Sequence, residues 1–138
     1  MAAVLYTPAV LDLATQLAEF PWNDDLPLQG SARSRSCGSS ISLGLSTSSE
    51  GRIARVGIKS QACAVGQAAA AIFASGASGR NAAQIGQTIH ELERWLAGTG
   101  PVPSWPHFDA IEAAREYPGR HGAIMLAWLA AGEALPTG

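Results

Sequence analysis

The chain of 138 residues has two cysteines, three histidines and a single lysine, and these shortages exclude several classes of protein. Two cysteines cannot form a disulfide framework, and alone they cannot complete a four-sulfur zinc or iron–sulfur site. The net charge is −2, whereas a nucleic-acid binder needs a surplus of Lys and Arg to attract phosphate. We therefore predict no nucleic-acid partner and no self-contained four-cysteine site.

Long apolar runs are also missing. The longest, residues 122–131, has about half of the roughly 20 residues that a membrane-spanning helix requires. The N-terminus lacks the charged start and the long apolar run of a signal peptide. We therefore expect no membrane segment and a cytoplasmic location, where free cysteines are ligands, nucleophiles or core residues rather than half-cystines.

The hydrophobic pattern changes its period along the chain and predicts an α+β fold. Alternating apolar residues flank a turn-forming stretch at residues 48–51 and predict a β-hairpin, while the preceding residues 30–40 form either a loop or a polar edge strand. Helical spacing predicts helices over about residues 8–20, 64–75, 85–96, 107–116 and 120–134. We predict one domain over residues 1–138, in which a small antiparallel sheet of two to three strands packs against about four to five helices and the last helix is central.

Both cysteines fall at the same predicted end of the hairpin. Cys37 precedes the first strand, and Cys63 follows the second strand and opens a helix. Because antiparallel strands joined by a short turn bring their outer ends together, we expect the two thiols to be neighbours. Two small buried side chains are the alternative, since cysteine often has that role.

The same part of the chain is basic. Five cations and one acid between Arg33 and Lys59 give that segment a charge of +4, whereas the remainder carries −6. This asymmetry indicates either an anionic partner near the cysteines or an ordinary solvated strand face.

The order of these features resembles the iron–sulfur cluster assembly scaffolds of the U type and the N-terminal domain of NifU-like proteins. That family has a Cys-Gly-Asp at the first strand, a second Cys that opens a helix, and a third Cys in an Arg-x-x-Cys-Ala-x-Leu-x-Trp segment at the start of the last helix. The matching positions here are Cys37-Gly38-Ser39, Cys63, and the segment that contains Arg120, Ala123, Leu126 and Trp128. The resemblance runs over nearly the whole chain and implies the fold of that family.

The resemblance implies a ligand set that this chain carries only in part. In the family, three cysteines with an aspartate or a nearby histidine hold zinc or a [2Fe–2S] cluster, and a cysteine desulfurase delivers persulfide sulfur. Here Ser39 stands in place of the aspartate and Ala123 in place of the third cysteine, so Cys37 and Cys63 are the remaining metal ligands. Ser39 is a weaker candidate because a neutral hydroxyl is a poor substitute for a carboxylate. His121 is a further candidate only if the helix is irregular there, since two positions of a regular helix turn a side chain by about 200°.

Two interpretations of function remain. The first is a non-enzymatic scaffold or carrier that binds iron, a transient [2Fe–2S] cluster or zinc through Cys37 and Cys63, in one chain or across a homodimer. The resemblance implies a cysteine desulfurase and apo acceptor proteins as its partners. The second is a divergent relative that builds no cluster and acts as an interaction or regulatory module, using the basic segment to dock an acidic partner. A thiol enzyme with Cys63 as nucleophile is disfavoured because no motif positions a general base.

Overall fold

The computed structural model describes residues 7–35 and 38–136, which form four α-helices, two 3-10 helices and one three-stranded sheet. In chain order the elements are α1 (Pro8–Gln16), a 3-10 helix (Leu17–Glu19), β1 (Leu28–Arg33), β2 (Ser40–Thr47), β3 (Ile53–Gln61), α2 (Ala64–Gly76), α3 (Ala82–Leu96), a second 3-10 helix (Phe108–Glu116) and α4 (Pro118–Ala134). The predicted fold class, α+β with a small antiparallel sheet against several helices, is confirmed.

The sheet has the strand order β1-β2-β3, and both strand pairs are antiparallel. The N–H of Ser48 donates to the carbonyl of Arg52 at 2.8 Å and closes the turn, where Gly51 has a φ of 78° that favours glycine. The predicted hairpin is thus confirmed. Of the two alternatives for residues 30–40, the chain up to Arg33 takes the edge strand.

The inner face of the sheet is apolar and is covered by α4. Ile41, Leu43 and Leu45 are buried and alternate along β2, as period-2 spacing requires. The helix approaches closely because Gly30 in β1 has no side chain: a Cβ there would lie 2.2 Å from the carbonyl oxygen of Ala130. The prediction that the last helix is central is confirmed, since α4 packs against β1, β2, α2 and α3.

An aromatic cluster fixes α4 relative to α2. The Trp128 ring lies 5.5 Å from Phe73 and 5.4 Å from Trp105, edge to face in both cases. The Trp105 Nε1–H donates to the carbonyl of Ile72 at 2.9 Å, so the linker after α3 is tied to α2. These contacts lie in the interior between the helices and involve none of the candidate ligands.

The outer face of the sheet is partly covered by residues 20–26. Gly44 and Gly57 are cross-strand partners, and a Cβ on Gly57 would lie 2.6 Å from the carbonyl oxygen of Pro21. The N–H of Ile58 donates to the carbonyl of Phe20 at 2.8 Å, which holds this segment along the edge of β3. The two glycines therefore make room for a segment that the sequence pattern leaves as a loop.

Several helix boundaries differ from the prediction: α1 ends at Gln16, where a 3-10 helix follows it to Glu19, and α3 begins at Ala82 rather than near residue 85. The last helix begins at Pro118 rather than near Arg120, and the segment before it is a 3-10 helix with a break at Ile111. Within the described ranges, no helix combines the length and the apolar character that a membrane span requires.

Candidate functional site

Cys63 lies at the junction between β3 and α2. It is the residue that caps α2, its carbonyl accepts the N–H of Gln67 at 2.9 Å, and its side chain makes no capping hydrogen bond. The thiol is free and half-buried. Cys63 therefore lies at a strand-to-helix corner, and its sulfur makes no hydrogen bond to the first turn of α2.

Ser39 lies at the same end of the sheet. Ser40 pairs with Gln61 in the β2–β3 register, so the residue before β2 and the residues after β3 leave the sheet together. Ser39 is buried, and its carbonyl accepts the N–H of Ser34 at 2.8 Å. The expected convergence of the outer ends of the hairpin is confirmed for Ser39 and the Cys63 junction.

Cys37, the first predicted ligand, lies outside the described residues. The nearest described residues on either side are Arg35, which is exposed, and Gly38, which has a φ of 70°. The pairing of Cys37 with Cys63 stays a prediction.

Ala123, which replaces the third cysteine of the family, faces the first turn of α2. It is buried, and a Cβ on Gly66 would lie 3.3 Å from the Ala123 Cβ. Gly66 is three residues after Cys63, so position 123 lies within one helical turn of the Cys63 corner. The three positions 39, 63 and 123 thus border one end of the fold, and two of them carry no thiol or carboxylate.

His121 is turned toward the second 3-10 helix. Because α4 is regular from Pro118, His121 lies about 200° around the helix from Ala123. Its Nε2 is 2.6 Å from the carbonyl oxygen of Arg115, and because a carbonyl only accepts, Nε2 carries the hydrogen. This hydrogen bond anchors the start of α4 and holds the ring away from Ala123. A ligand role for His121 is untested, and the ligand pair of Cys37 and Cys63 does not include it.

No group of three or more His, Cys, Asp or Glu side chains that could hold a metal ion occurs in the part of the chain that the structure describes. This agrees with the donor chemistry of the site, because serine and alanine occupy two of the ligand positions that the family fills. The described residues therefore do not fit a complete single-chain metal site.

Two cations of the basic segment, Arg33 and Lys59, lie on the outer face of the sheet near the Cys63 end. Arg33 is opposite Ser40 and Lys59 is opposite Ser42, so both side chains point away from α4, and both are exposed. The Lys59 Nζ lies 5.2 Å from the centroid of the Trp22 ring. Positive charge therefore flanks the end of the sheet that leads to Cys63.

Gly66 is the residue that the sequence reasoning missed. Its bare Cα lets α2 and α4 approach at Ala123, because an added Cβ would lie 3.3 Å from the Ala123 Cβ of α4; it would also crowd the Ala62 Cβ at 3.0 Å. The only signal in the sequence is a glycine in the first turn of a helix, where glycine is unfavourable unless close packing requires it.

Comparison with protein-family models finds no match, and comparison with curated proteins finds none either. Among solved structures, the N-terminal part of a NifU-like protein from Brucella abortus superposes with a TM-score of 0.84 at 23% identity, covering 94% of this chain and 91% of that one. A structure described as a putative iron–sulfur cluster assembly scaffold protein for the SUF system, from Fervidobacterium islandicum, superposes with a TM-score of 0.81 at 16% identity, covering 96% and 97%. The resemblance that the cysteine positions indicate is thereby confirmed at the level of the fold: this chain has the architecture of the NifU-like and U-type scaffold proteins.

Proposed function

We propose that this protein is a non-enzymatic scaffold or carrier in iron–sulfur cluster assembly and that Cys37 and Cys63 bind its iron or [2Fe–2S] cargo. The observation that carries the proposal is the position of Cys63: it lies at a strand-to-helix corner bordered by positions 39 and 123, in a fold shared with a NifU-like protein and a cluster-assembly scaffold. Thiolates are the preferred ligands of iron in such clusters.

The cargo would be held by fewer ligands than the family provides. Two thiolates leave coordination positions open on iron, and these are completed by water, a second chain or a partner protein. A cargo held in this way leaves readily, which suits a carrier that passes iron or a cluster to apo acceptor proteins. A cysteine desulfurase is the expected source of sulfur, zinc competes for the same thiolates, and the expected location is the cytoplasm.

Anaerobic reconstitution tests the proposal. The full chain is incubated with ferric iron and sulfide and desalted, and the product is measured by absorption spectroscopy and by iron and sulfide analysis. We expect sulfur-to-iron charge-transfer absorption, and its loss in the double variant Cys37→Ser, Cys63→Ser. Circular dichroism of both proteins confirms that the fold is unchanged. A wild-type chain that retains no more iron than the double variant contradicts the proposal.

A restored ligand set provides the matched positive control. The double variant Ser39→Asp, Ala123→Cys returns the two missing donors to positions that border the Cys63 corner. Position 123 faces Gly66, which has no side chain, so the larger cysteine side chain has room there. We expect this variant to retain more iron than wild type, and to lose it when Cys63 is changed to serine.

A second candidate function is favoured by the missing donors at positions 39 and 123. In this function the chain builds no cluster and docks an acidic partner, such as an acidic face of a desulfurase, through the basic outer face that carries Arg33 and Lys59. If this second function is correct, the purified protein contains neither iron nor zinc, and its binding to the partner weakens as the salt concentration is raised. Iron retention by the wild type that depends on Cys63 favours the carrier instead.

A further inference from the structure

Among the residues that the structure describes, the outer edge of β1 has no neighbouring strand and carries backbone groups without a hydrogen-bond partner. The N–H of Ser34 donates to the carbonyl of Ser39, so Ser34 points its backbone groups toward the end of β2. Backbone groups alternate in direction along an antiparallel strand. Gln29, Ser31 and Arg33, which are out of step with Ser34, therefore point their N–H and C=O groups away from β2. The backbone groups of these three residues have no partner among the described residues, and their side chains are exposed. The opposite edge of the sheet differs, because Phe20 and Pro21 cover β3 at Ile58.

Within the described strand, several of the features by which proteins prevent edge strands from pairing are missing. β1 contains no proline, its register with β2 has no bulge, and Arg33 is its only charged residue. A regular exposed edge of this kind is a template for pairing with another strand.

We propose that two copies of this chain associate by antiparallel pairing of β1 with β1 and form one continuous six-stranded sheet. A two-fold axis through Ser31 sets the register in which the outward backbone groups of Gln29, Ser31 and Arg33 all form hydrogen bonds with the second copy. Ser31 then pairs with its own copy, and Arg33 pairs with Gln29 of the second copy. No like charges meet across the axis, so the edge is self-complementary.

The exposed flank of α4 continues the same surface. Ala130 and Ala134 face Gly30 of β1, and Trp128, about 160° from Ala130 around the helix, faces the aromatic cluster. Leu129 is about 100° from each of Ala130 and Trp128 and lies on the flank that neither contact covers. Because α2 lies beyond α4 toward β3, this side of α4 overhangs the free edge of β1. Leu129 is 41% exposed there, one of three large exposed apolar side chains in the described part of the chain.

The spacing of the elements fits a contact between the two copies of α4. The proposed axis is perpendicular to the sheet, so the two helices lie on one face and run antiparallel. Strands lie about 4.8 Å apart, so a helix centred between β1 and β2 would lie roughly 10 Å from its copy, close to the spacing of about 8–10 Å at which helices pack. Leu129 would then be covered by the second copy.

The proposed dimer is independent of cargo binding. Because β1 and its copy are antiparallel, the ends at Arg33 that lead to the candidate site point in opposite directions. Ligands shared between chains would require a different contact. We therefore expect the variant Cys37→Ser, Cys63→Ser to dimerise like the wild type, which separates this proposal from the proposed function.

Sedimentation equilibrium and hydrogen exchange test the dimer directly. We expect the full chain to sediment as a dimer at micromolar concentration. The amides of Gln29, Ser31 and Arg33 should exchange slowly in concentrated samples and rapidly on dilution, whereas those of Gly30 and Ala32 stay protected because they bond to β2. A chain that remains monomeric, or a dimer in which the three outward amides exchange freely, overturns the proposal.

A proline at the centre of the edge tests the pairing. Ser31→Pro removes an outward N–H that makes no bond within the chain, a position where an edge strand tolerates proline. We expect a folded monomer, while Ser31→Ala keeps the N–H and the dimer. If Ser31→Pro does not fold, the register is read instead from Gln29→Lys and Gln29→Glu. These should weaken and strengthen dimerisation by about fivefold each, because two symmetric pairs with Arg33 change at once. Equal effects of the two Gln29 variants contradict the register.

The helix flank has its own matched control. Leu129→Glu should dissociate the dimer, while Leu11→Glu on α1, where the leucine is 48% exposed, should leave it intact. Dissociation by Leu129→Glu with no effect of Ser31→Pro would assign the contact to α4 alone and overturn the strand pairing.

Discussion

Gly30→Ala is expected to destabilise the protein strongly although it adds a single methyl group. Gly30 faces α4 from the edge strand of the sheet. An added Cβ would lie 2.2 Å from the carbonyl oxygen of Ala130, 2.9 Å from the N atom of Ala134 and 3.1 Å from its Cβ. Two of these atoms are backbone, so the clash cannot be relieved by a change of rotamer. The helix itself has to move away from the sheet.

The size of the effect follows from that displacement. A contact of 2.2 Å requires α4 to move by about 1 Å, and overpacking of a well-packed interior costs about 1–3 kcal/mol. Alanine also lowers the conformational entropy of the unfolded chain, which offsets about 0.4–1 kcal/mol of this cost. Because α4 also packs against α2 and α3, we take the upper end of the cost and expect the free energy of unfolding to fall by about 2 kcal/mol. For a chain of this length the melting temperature would fall by about 8 °C.

Urea unfolding followed by circular dichroism measures this change, with Gly86→Ala as the control. Gly86 lies inside α3, and no atom lies within 4 Å of its added Cβ, so alanine there should raise the free energy of unfolding by about 1 kcal/mol through its helix propensity. The two Gly-to-Ala changes therefore have opposite expected signs. A Gly30→Ala protein as stable as wild type would refute the close packing of α4 on β1.

Two further predictions concern single hydrogen-bonded side chains. Asn81→Ala should lower the free energy of unfolding by about 1 kcal/mol in urea titration, because Asn81 and Gln84 form a reciprocal capping box with two bonds of 2.9 Å; Asn81→Asp keeps the cap and should lose less. His121→Ala removes the donor to the Arg115 carbonyl and should lower the free energy of unfolding by about 1 kcal/mol. Iron retention in the reconstitution assay should stay unchanged. A loss of iron as large as that of Cys63→Ser would contradict the orientation of His121 away from Ala123.

The sequence predicts the hairpin but leaves β1 undecided, for a physical reason. In β2, Ile41, Leu43 and Leu45 alternate with small or polar residues and give a clear period-2 signal. In β1, the inward positions are Leu28, Gly30 and Ala32, and a glycine carries no apolar signal. Its burial arises from α4, a helix about 100 residues later in the chain, and no local pattern contains that information.

The candidate site is predictable where it depends on strand register and less so where it depends on a helix boundary. Ser39 and Cys63 lie at the same end of the sheet because a short turn fixes which ends of β2 and β3 lie together. The direction of His121 depends on the first residue of α4. Pro118 suits the first turn of a helix, but the adjacent Gly119 is equally typical of a turn, so the sequence leaves the boundary open by two residues.

The fold and the ligand set are separable because different residues carry them. α4 is held by its contact with Gly30 and by the ring contacts of Trp128, and none of these atoms belongs to positions 39, 63 or 123. A chain of this length buries enough apolar surface to fold without a metal. Serine at position 39 and alanine at position 123 therefore remove donors without removing the packing that orients Cys63. The choice between a carrier and a cluster-free docking module thus depends on the chemistry at one end of the sheet, and iron retention by the wild type against its Cys63→Ser variant addresses that chemistry directly.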